Sequence, residues 1–225
     1  MTTNIQPGDQ MLGDSVMPTD LGNVQIICII GGPGVGKGTQ CNWLAKDLDL
    51  VHVSVGELLR AKSKKALLEN GTDIEGRMRE GLLAPVEIVH ETLQSFLDEE
   101  VGKGKSVFLV DGFPRSLEQV RYFETHGFKI KAAVYFHASE AVLCERVRKR
   151  SETSDRVDDK LEIFKKRYKE FEKENASVLD YFELRGKLHK VDCNGKFTDV
   201  YKNDIHPLVL VMLGCPIPST EANRR

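Results

Sequence analysis

Apolar positions along this 225-residue chain fall into two alternating rhythms. Val24–Ile30, Val51–Val53, Val107–Val110, Ala132–Phe136 and Leu188–Val191 are short, mostly apolar and often β-branched, which predicts five buried strands. Between them the spacing lengthens toward 3.6 residues. Trp43, Leu44 and Leu48 follow the first strand in a helical pattern. Leu161, Phe164, Tyr168 and Phe171, then Val178, Leu179 and Phe182, recur on one helical stripe with Lys and Glu between them. Strands alternating with helices predict an α/β fold, a parallel sheet covered on both faces. Two regions break the alternation. About fifty residues between Val53 and Val107 hold helical patterns without a strand, and the charged stretch Lys149–Lys160 has little apolar content. Both read as insertions rising from the carboxyl edge of the sheet, where ligands bind in such folds.

Composition narrows the function classes. A net charge of −2 exerts no general pull on nucleic acid or anionic membranes, so any phosphate recognition must come from locally concentrated cations. Cys28, Cys41, Cys144, Cys193 and Cys215 are scattered and form no Cys-x-x-Cys pair. They therefore suit a reducing, cytoplasmic setting rather than a disulfide framework or a zinc site. No apolar run approaches the roughly 20 residues of a membrane helix. Residues 1–22 lack Lys, Arg and any long apolar segment and are expected to form a disordered extension, with a second loose tail over 215–225.

The chemistry is concentrated in Gly31-Gly32-Pro33-Gly34-Val35-Gly36-Lys37-Gly38-Thr39, placed between a strand and a helix. Glycines let successive backbone N–H groups and the helix N-terminus face phosphate oxygens, and Lys37 adds a point charge for the outer phosphates. The general P-loop pattern has Ser or Thr directly after the lysine; here Gly38 precedes Thr39. This variant resembles the adenylate kinase family, which includes the UMP/CMP kinases. Further likenesses follow in family order. His52–Arg60 resembles the opening of a monophosphate-binding insertion, and Gly81-Leu82-Leu83-Ala84-Pro85 its close. Asp111-Gly112-Phe113-Pro114-Arg115 with Gln119 is similar to the family signature, and Arg150–Asp159 with Arg167 resembles a short lid.

The resemblance implies a three-layer P-loop fold over 23–214 with a five-stranded parallel sheet, a helical insertion at 54–84 and a short lid at 149–159. It implies that ATP lies on Gly34, Val35, Gly36, Lys37, Gly38 and Thr39, with Arg146 against its adenine and the Gly195 backbone contacting the same ring. The monophosphate would meet Val55, Arg60, Leu82, Leu83, Ala84, Gly112, Phe113, Pro114, Arg115 and Gln119. Lys37, Arg115, Arg150, Arg156 and Arg167 would carry catalysis, with Arg156 and Arg167 also touching the monophosphate. Pro114 resembles a family proline that follows a cis bond. Ser151 and Asp155 stand where the family usually has glycine, so Asp155 places a negative charge beside Arg156.

The chemistry also stands without the resemblance. Two phosphate-bearing substrates repel each other, so transfer needs converging cations, preferably planar arginine forks. Asp111 ends a buried strand and suits an anchor for the waters on Mg²⁺. Asp158 and Asp159 either orient lid arginines or cap the next helix. The six histidines have no metal-binding spacing and read as structural or solvated. A GTPase would need an Asn-Lys-x-Asp segment, which does not occur; an inactive scaffold would be expected to have lost Lys37 or a phosphate arginine. The expectation is therefore a monomeric enzyme transferring the ATP γ-phosphoryl group to AMP, with UMP or CMP as the alternative acceptor. By the resemblance Gln119 stands where the family reads the acceptor base, and its amide favours adenine. Val55 is ambiguous, since adenylate kinases usually have Thr there and UMP/CMP kinases Ala.

Overall fold

The structure, a computed structural model, describes residues 23–66, 73–80, 82–152 and 161–216, without the side chains of 64–66 and 79. The expected extension over 1–22, residues 217–225 of the tail expected over 215–225, and the expected lid positions Arg156, Asp155, Asp158 and Asp159 lie outside the described residues, as does Gly81.

The five predicted strands all form, within two residues of their expected ends. They are β1 (Gln25–Gly31), β2 (Val51–Ser54), β3 (Val107–Asp111), β4 (Ile130–His137) and β5 (Leu188–Asp192). All pairings are parallel, in the order β2-β3-β1-β4-β5. The largest extension is at β4, which begins at Ile130 because that residue pairs with Ile26 across a register shift. The helices are α1 (Lys37–Leu48), α2 (Val55–Ala66), α3 (Ile74–Glu80), α4 (Val86–Gly102), α5 (Leu117–Thr125), α6 (Glu140–Ser151) and α7 (Leu161–Glu183). After β5 come α8 (Phe197–Val200), a π-helical turn (Tyr201–Ile205) and α9 (His206–Met212).

The two-residue alternation of β1 divides the core into two layers. Ile26, Cys28 and Ile30 face α4, α5 and the end of α7, meeting Leu93, Phe123 and Phe182. Ile27 and Ile29 face the other way, toward Leu44 of α1, Leu143 of α6 and Phe164 of α7. Each such side chain contributes about 1.5–3 kcal/mol when fully buried. The helical stripe of α7 straddles both layers, which is why its apolar pattern is long; only Leu161, at its start, is 52% exposed. β1 is central, and strand order reverses there. Its carboxyl end, bearing the glycine-rich loop, thus opens into the crevice where this architecture binds ligands.

Candidate active site

β1 is buried along its length and stops where the glycines begin. Gly34 and Gly36 have φ of 82° and 100°, a left-handed region that side chains rarely tolerate. A Cβ on Gly34 would also lie 2.8 Å from the Leu143 carbonyl oxygen. The loop passes directly into α1, whose N-cap Gly36 provides no side-chain hydrogen bond, so the first N–H groups of the helix remain open to an anion. Lys37 folds back into the loop, donating from Nζ to the carbonyls of Gly31 at 2.7 Å and Gly32 at 3.1 Å. Burial pulls its pKa down to about 8. Asp111 opposes that shift, while Arg115 and Arg167 add to it.

The sheet then delivers Asp111 beside this lysine. Ser54 at the end of β2 pairs with Asp111 at the end of β3, which places His52 on the same face. His52 Nε2 lies 3.7 Å from Asp111 Oδ2, beyond hydrogen-bond length, and its Nδ1 is 2.7 Å from Asn42 Oδ1. Burial disfavours the Asp111 carboxylate, but His52, Lys37 and Arg115 together outweigh it and hold the group below its ordinary range. A hard, ionised oxygen donor with few protein neighbours of its kind fits Mg²⁺, which keeps most of its waters. Among the described residues no three or more His, Cys, Asp or Glu gather as a metal site.

A cleft of about 740 Å³ joins these groups. It brings Gly34, Gly36, Lys37, Gly38, Thr39, Asp111 and Gly112 together with Arg60, Arg115, Arg150 and Arg167. Those arginines come from α2, the turn after β3, α6 and α7, so helices far apart in sequence aim their cations at one space. Arg60 is held across α2 by Glu57, with Nη2 to Oε1 at 2.7 Å. Arg115 donates from Nε to the Gly112 carbonyl at 3.0 Å. Gly112 has φ of 76°, which lets the chain turn sharply after β3, and the following Phe113–Pro114 bond is cis, as expected.

A smaller recess adjoins the cleft beneath α2. Val55, Leu82, Leu83, Ala84 and Gln119 border it, and Gly112 and Arg115 are shared with the cleft. Arg77 braces its wall by donating from Nε to the Leu83 carbonyl at 2.8 Å. Gln119 is 4% exposed, and its Oε1 accepts from the Arg115 backbone N–H at 2.8 Å. Pro114 lines a cavity shared with Lys37, Arg115 and Arg167. The Phe113 ring instead lies in the core, 4.3 Å from Phe123 between centroids.

On the opposite side Arg146 bridges three segments. It donates to the carbonyls of Gly195 at 2.8 Å and Val35 at 3.4 Å, and its guanidinium sits 4.3 Å over the Phe197 ring. Sequence reasoning missed Phe197, as it missed His52, Glu57 and Arg77. For His52 a signal existed: Val51 and Val53 alternate with it, so His52 and Ser54 share the other face of β2. For Glu57 the three-residue spacing to Arg60 on a helix was readable. Phe197 and Arg77 had no local signal.

A P-loop, an ionised strand-end aspartate and arginines converging across a cleft define a phosphotransferase acting on nucleotides. The family described as Adenylate kinase matches residues 29–187. The chain is 39% identical to a uridylate kinase of Saccharomyces cerevisiae, over 80% of this chain and 88% of that protein. It is 35% identical to adenylate kinase isoenzyme 1 of Caenorhabditis elegans, over 83% and 89% respectively, and 32% identical to a UMP-CMP kinase of Lentinula edodes, over 80% and 83%. The chain belongs to the adenylate kinase family of nucleoside monophosphate kinases and acts on ATP and a nucleoside monophosphate. No helix among the described residues is long and apolar enough to cross a membrane.

Proposed function

We propose that this chain reversibly transfers the γ-phosphoryl group of ATP to AMP, giving two ADP. The observation that carries the choice of acceptor is the buried Gln119 amide, which borders an otherwise largely apolar recess next to Arg115. An amide can accept from the adenine amino group and donate to the adjacent ring nitrogen. Arg60 and Arg115 hold the AMP phosphate at the cleft, and the α1 N-terminus and Lys37 hold the ATP phosphates, with Arg146 and Gly195 beside the donor adenine. Arg150, Arg156 and Arg167 close on the transferring group. Its charge is spread over three oxygens, so catalysis is positioning and electrostatic stabilisation rather than proton transfer. Asp111 would hold Mg²⁺ through water, and the ion neutralises phosphate charge when bound. We read residues 54–84 and 149–159 as moving segments, and the enzyme as a cytoplasmic monomer, since both segments need freedom to close.

A second reading, a pyrimidine monophosphate acceptor, draws on the likeness to a uridylate kinase and on Val55. Valine keeps the width of the threonine usual in adenylate kinases but lacks its hydroxyl. One missing hydrogen bond of about 0.5–1.5 kcal/mol corresponds to roughly two- to tenfold weaker discrimination. The test is kcat/KM for AMP, UMP, CMP and GMP in the natural chain and in Val55→Thr. AMP is expected to lead in both, by a wider margin in the variant. UMP or CMP outrunning AMP in the natural chain would establish the second reading.

A further inference from the structure

The cavity that Pro114 shares with Lys37, Arg115 and Arg167 has a second wall of opposite character. Glu170, Phe171 and Glu174 follow Arg167 at helical spacing, so one face of α7 carries all four to the cavity, with Asn175 beside them. The two carboxylates are half-buried. Lys173 reaches both from outside, 4.0 Å from Glu170 Oε1 and 3.5 Å from Glu174 Oε1. Asn175 is only 3% exposed. Its Nδ2 donates to the Phe171 carbonyl at 3.0 Å, and because a carbonyl can only accept, this contact fixes which end of the amide is which. The remaining Oδ1 is buried without a hydrogen-bond partner among the described residues. A buried acceptor is costly to leave unmatched, so the wall calls for a donor.

The cavity holds about 50 Å³, room for a few hydroxyl groups or waters but not for a nucleotide. Its two walls restrict what can enter. An anion would meet Glu170 and Glu174, and a metal ion would meet Lys37, Arg115 and Arg167. A hydroxyl suits both, since it donates to the acceptors on one side and accepts from the cations on the other. Leu83, Gly112 and Arg115 border this cavity and the recess beneath α2; Lys37, Gly112, Arg115 and Arg167 border it and the cleft. On the kinase reading above, the acceptor base lies in the recess and its phosphate in the cleft, so the sugar joining them passes this cavity. We infer that Glu170, Glu174 and Asn175 read the acceptor's ribose, accepting from its hydroxyls and favouring ribonucleotides over 2′-deoxyribonucleotides. A carboxylate accepting from a ribose hydroxyl is also how dinucleotide-binding folds read that sugar. Arg146, Gly195 and Phe197 do not border the cavity, so the donor's ribose is not read here.

The test uses matched pairs that differ by one hydroxyl, AMP against 2′-deoxy-AMP and CMP against 2′-deoxy-CMP, so that it holds whichever base is accepted. Their binding to the full chain is measured by calorimetry, and phosphoryl transfer is measured separately. Loss of a hydroxyl that donates to a half-buried carboxylate is expected to weaken binding by about five- to fiftyfold. Glu170→Gln and Glu174→Gln keep the shape and an acceptor but remove the charge, and each should narrow the ratio by about two- to fivefold. Asn175→Leu, of similar volume without an acceptor, should narrow it by about three- to tenfold. In each variant the ribonucleotide should lose more affinity than its deoxy partner, a split that a general disturbance of α7 would not produce. Deoxy and ribo forms binding the natural chain equally well would mean that water alone fills the cavity, and would overturn the inference whatever the variants do. A ribose preference untouched by all three substitutions overturns it as well. No transfer to any monophosphate would instead overturn the kinase reading, and the binding ratios would still decide the question of the sugar.

Discussion

The two sides of the cleft hold their cations in different ways. On the proposed donor side Lys37 rests on the Gly31 and Gly32 carbonyls, and Arg146 on those of Val35 and Gly195 with Phe197 beneath it. These partners are neutral. On the proposed placement, an arriving polyphosphate would replace these dipoles with full negative charge. On the proposed acceptor side Arg60 is gripped by the Glu57 carboxylate, and Gln119 is fixed by a backbone N–H. On the proposed placement, a monophosphate would compete there with a charge already present.

The largest effects should come from the cations at the point of transfer. Lys37→Met and Arg115→Ala should each lower kcat by about 10²–10³ while leaving the melting temperature nearly unchanged, because the contacts they lose are made to charge that develops in the transition state. Single-turnover kinetics beside a melting curve decides this, and near-normal turnover in either variant removes that residue from the mechanism. Next comes Phe197→Leu. Loss of the ring beneath Arg146 should raise KM for ATP by about three- to tenfold with KM for AMP unchanged. Equal rises in both would mean that Phe197 merely supports the fold.

Smaller still is the effect of neutralising the competitor on the acceptor side. Glu57 is half-exposed, so its grip on Arg60 is screened, and Glu57→Gln should lower KM for AMP by only about two- to fivefold. An unchanged KM would show that the carboxylate does not compete, and the contrast between the two sides would fail at that point.

The smallest effect lies in the scaffold under the acceptor side. His90 of α4 packs among Tyr122, Phe123, His126 and Phe128, against the helix that carries Gln119, and its Nε2 is buried without a partner. Burial holds this imidazole below its ordinary range; His126 adds to that, and Glu91 opposes it. Protons thus bind the unfolded chain more readily than the folded one. The contribution of His90 to stability is complete above about pH 6.5 and is lost as pH falls through the lower folded value. Denaturant unfolding between pH 7.5 and 5 should show a loss that His90→Phe reduces. The same slope in the variant would clear His90 of any part in it.

Much of this arrangement was legible before any fold was known. The five strands are local runs of apolar residues, and the P-loop is nine consecutive residues whose glycines, lysine and flanking elements are all contiguous. Chemistry carried by neighbours in the chain leaves a local mark. Gln119 was singled out only through the family resemblance, and its contact with the Arg115 N–H appears only with the coordinates. The pair Glu57–Arg60 is just as local: Arg60 was expected to meet the monophosphate, while Glu57, three residues before it on the helix, drew no reading of its own.

The chain alone therefore determined the element types, the identity of the phosphate loop and the presence of enough arginines to neutralise two nucleotides. Each of these follows from steric and hydrogen-bonding preferences that act over a few residues. Only the tertiary structure decided the strand order, and with it which residues became neighbours. The pairing of β2 with β3 set His52 beside Asp111, and the packing of α6 against the loop after β5 set Arg146 over Phe197. Those contacts join segments brought together by burying both faces of one sheet. Hydrophobic burial is non-directional, so no residue along the chain announces its eventual partner.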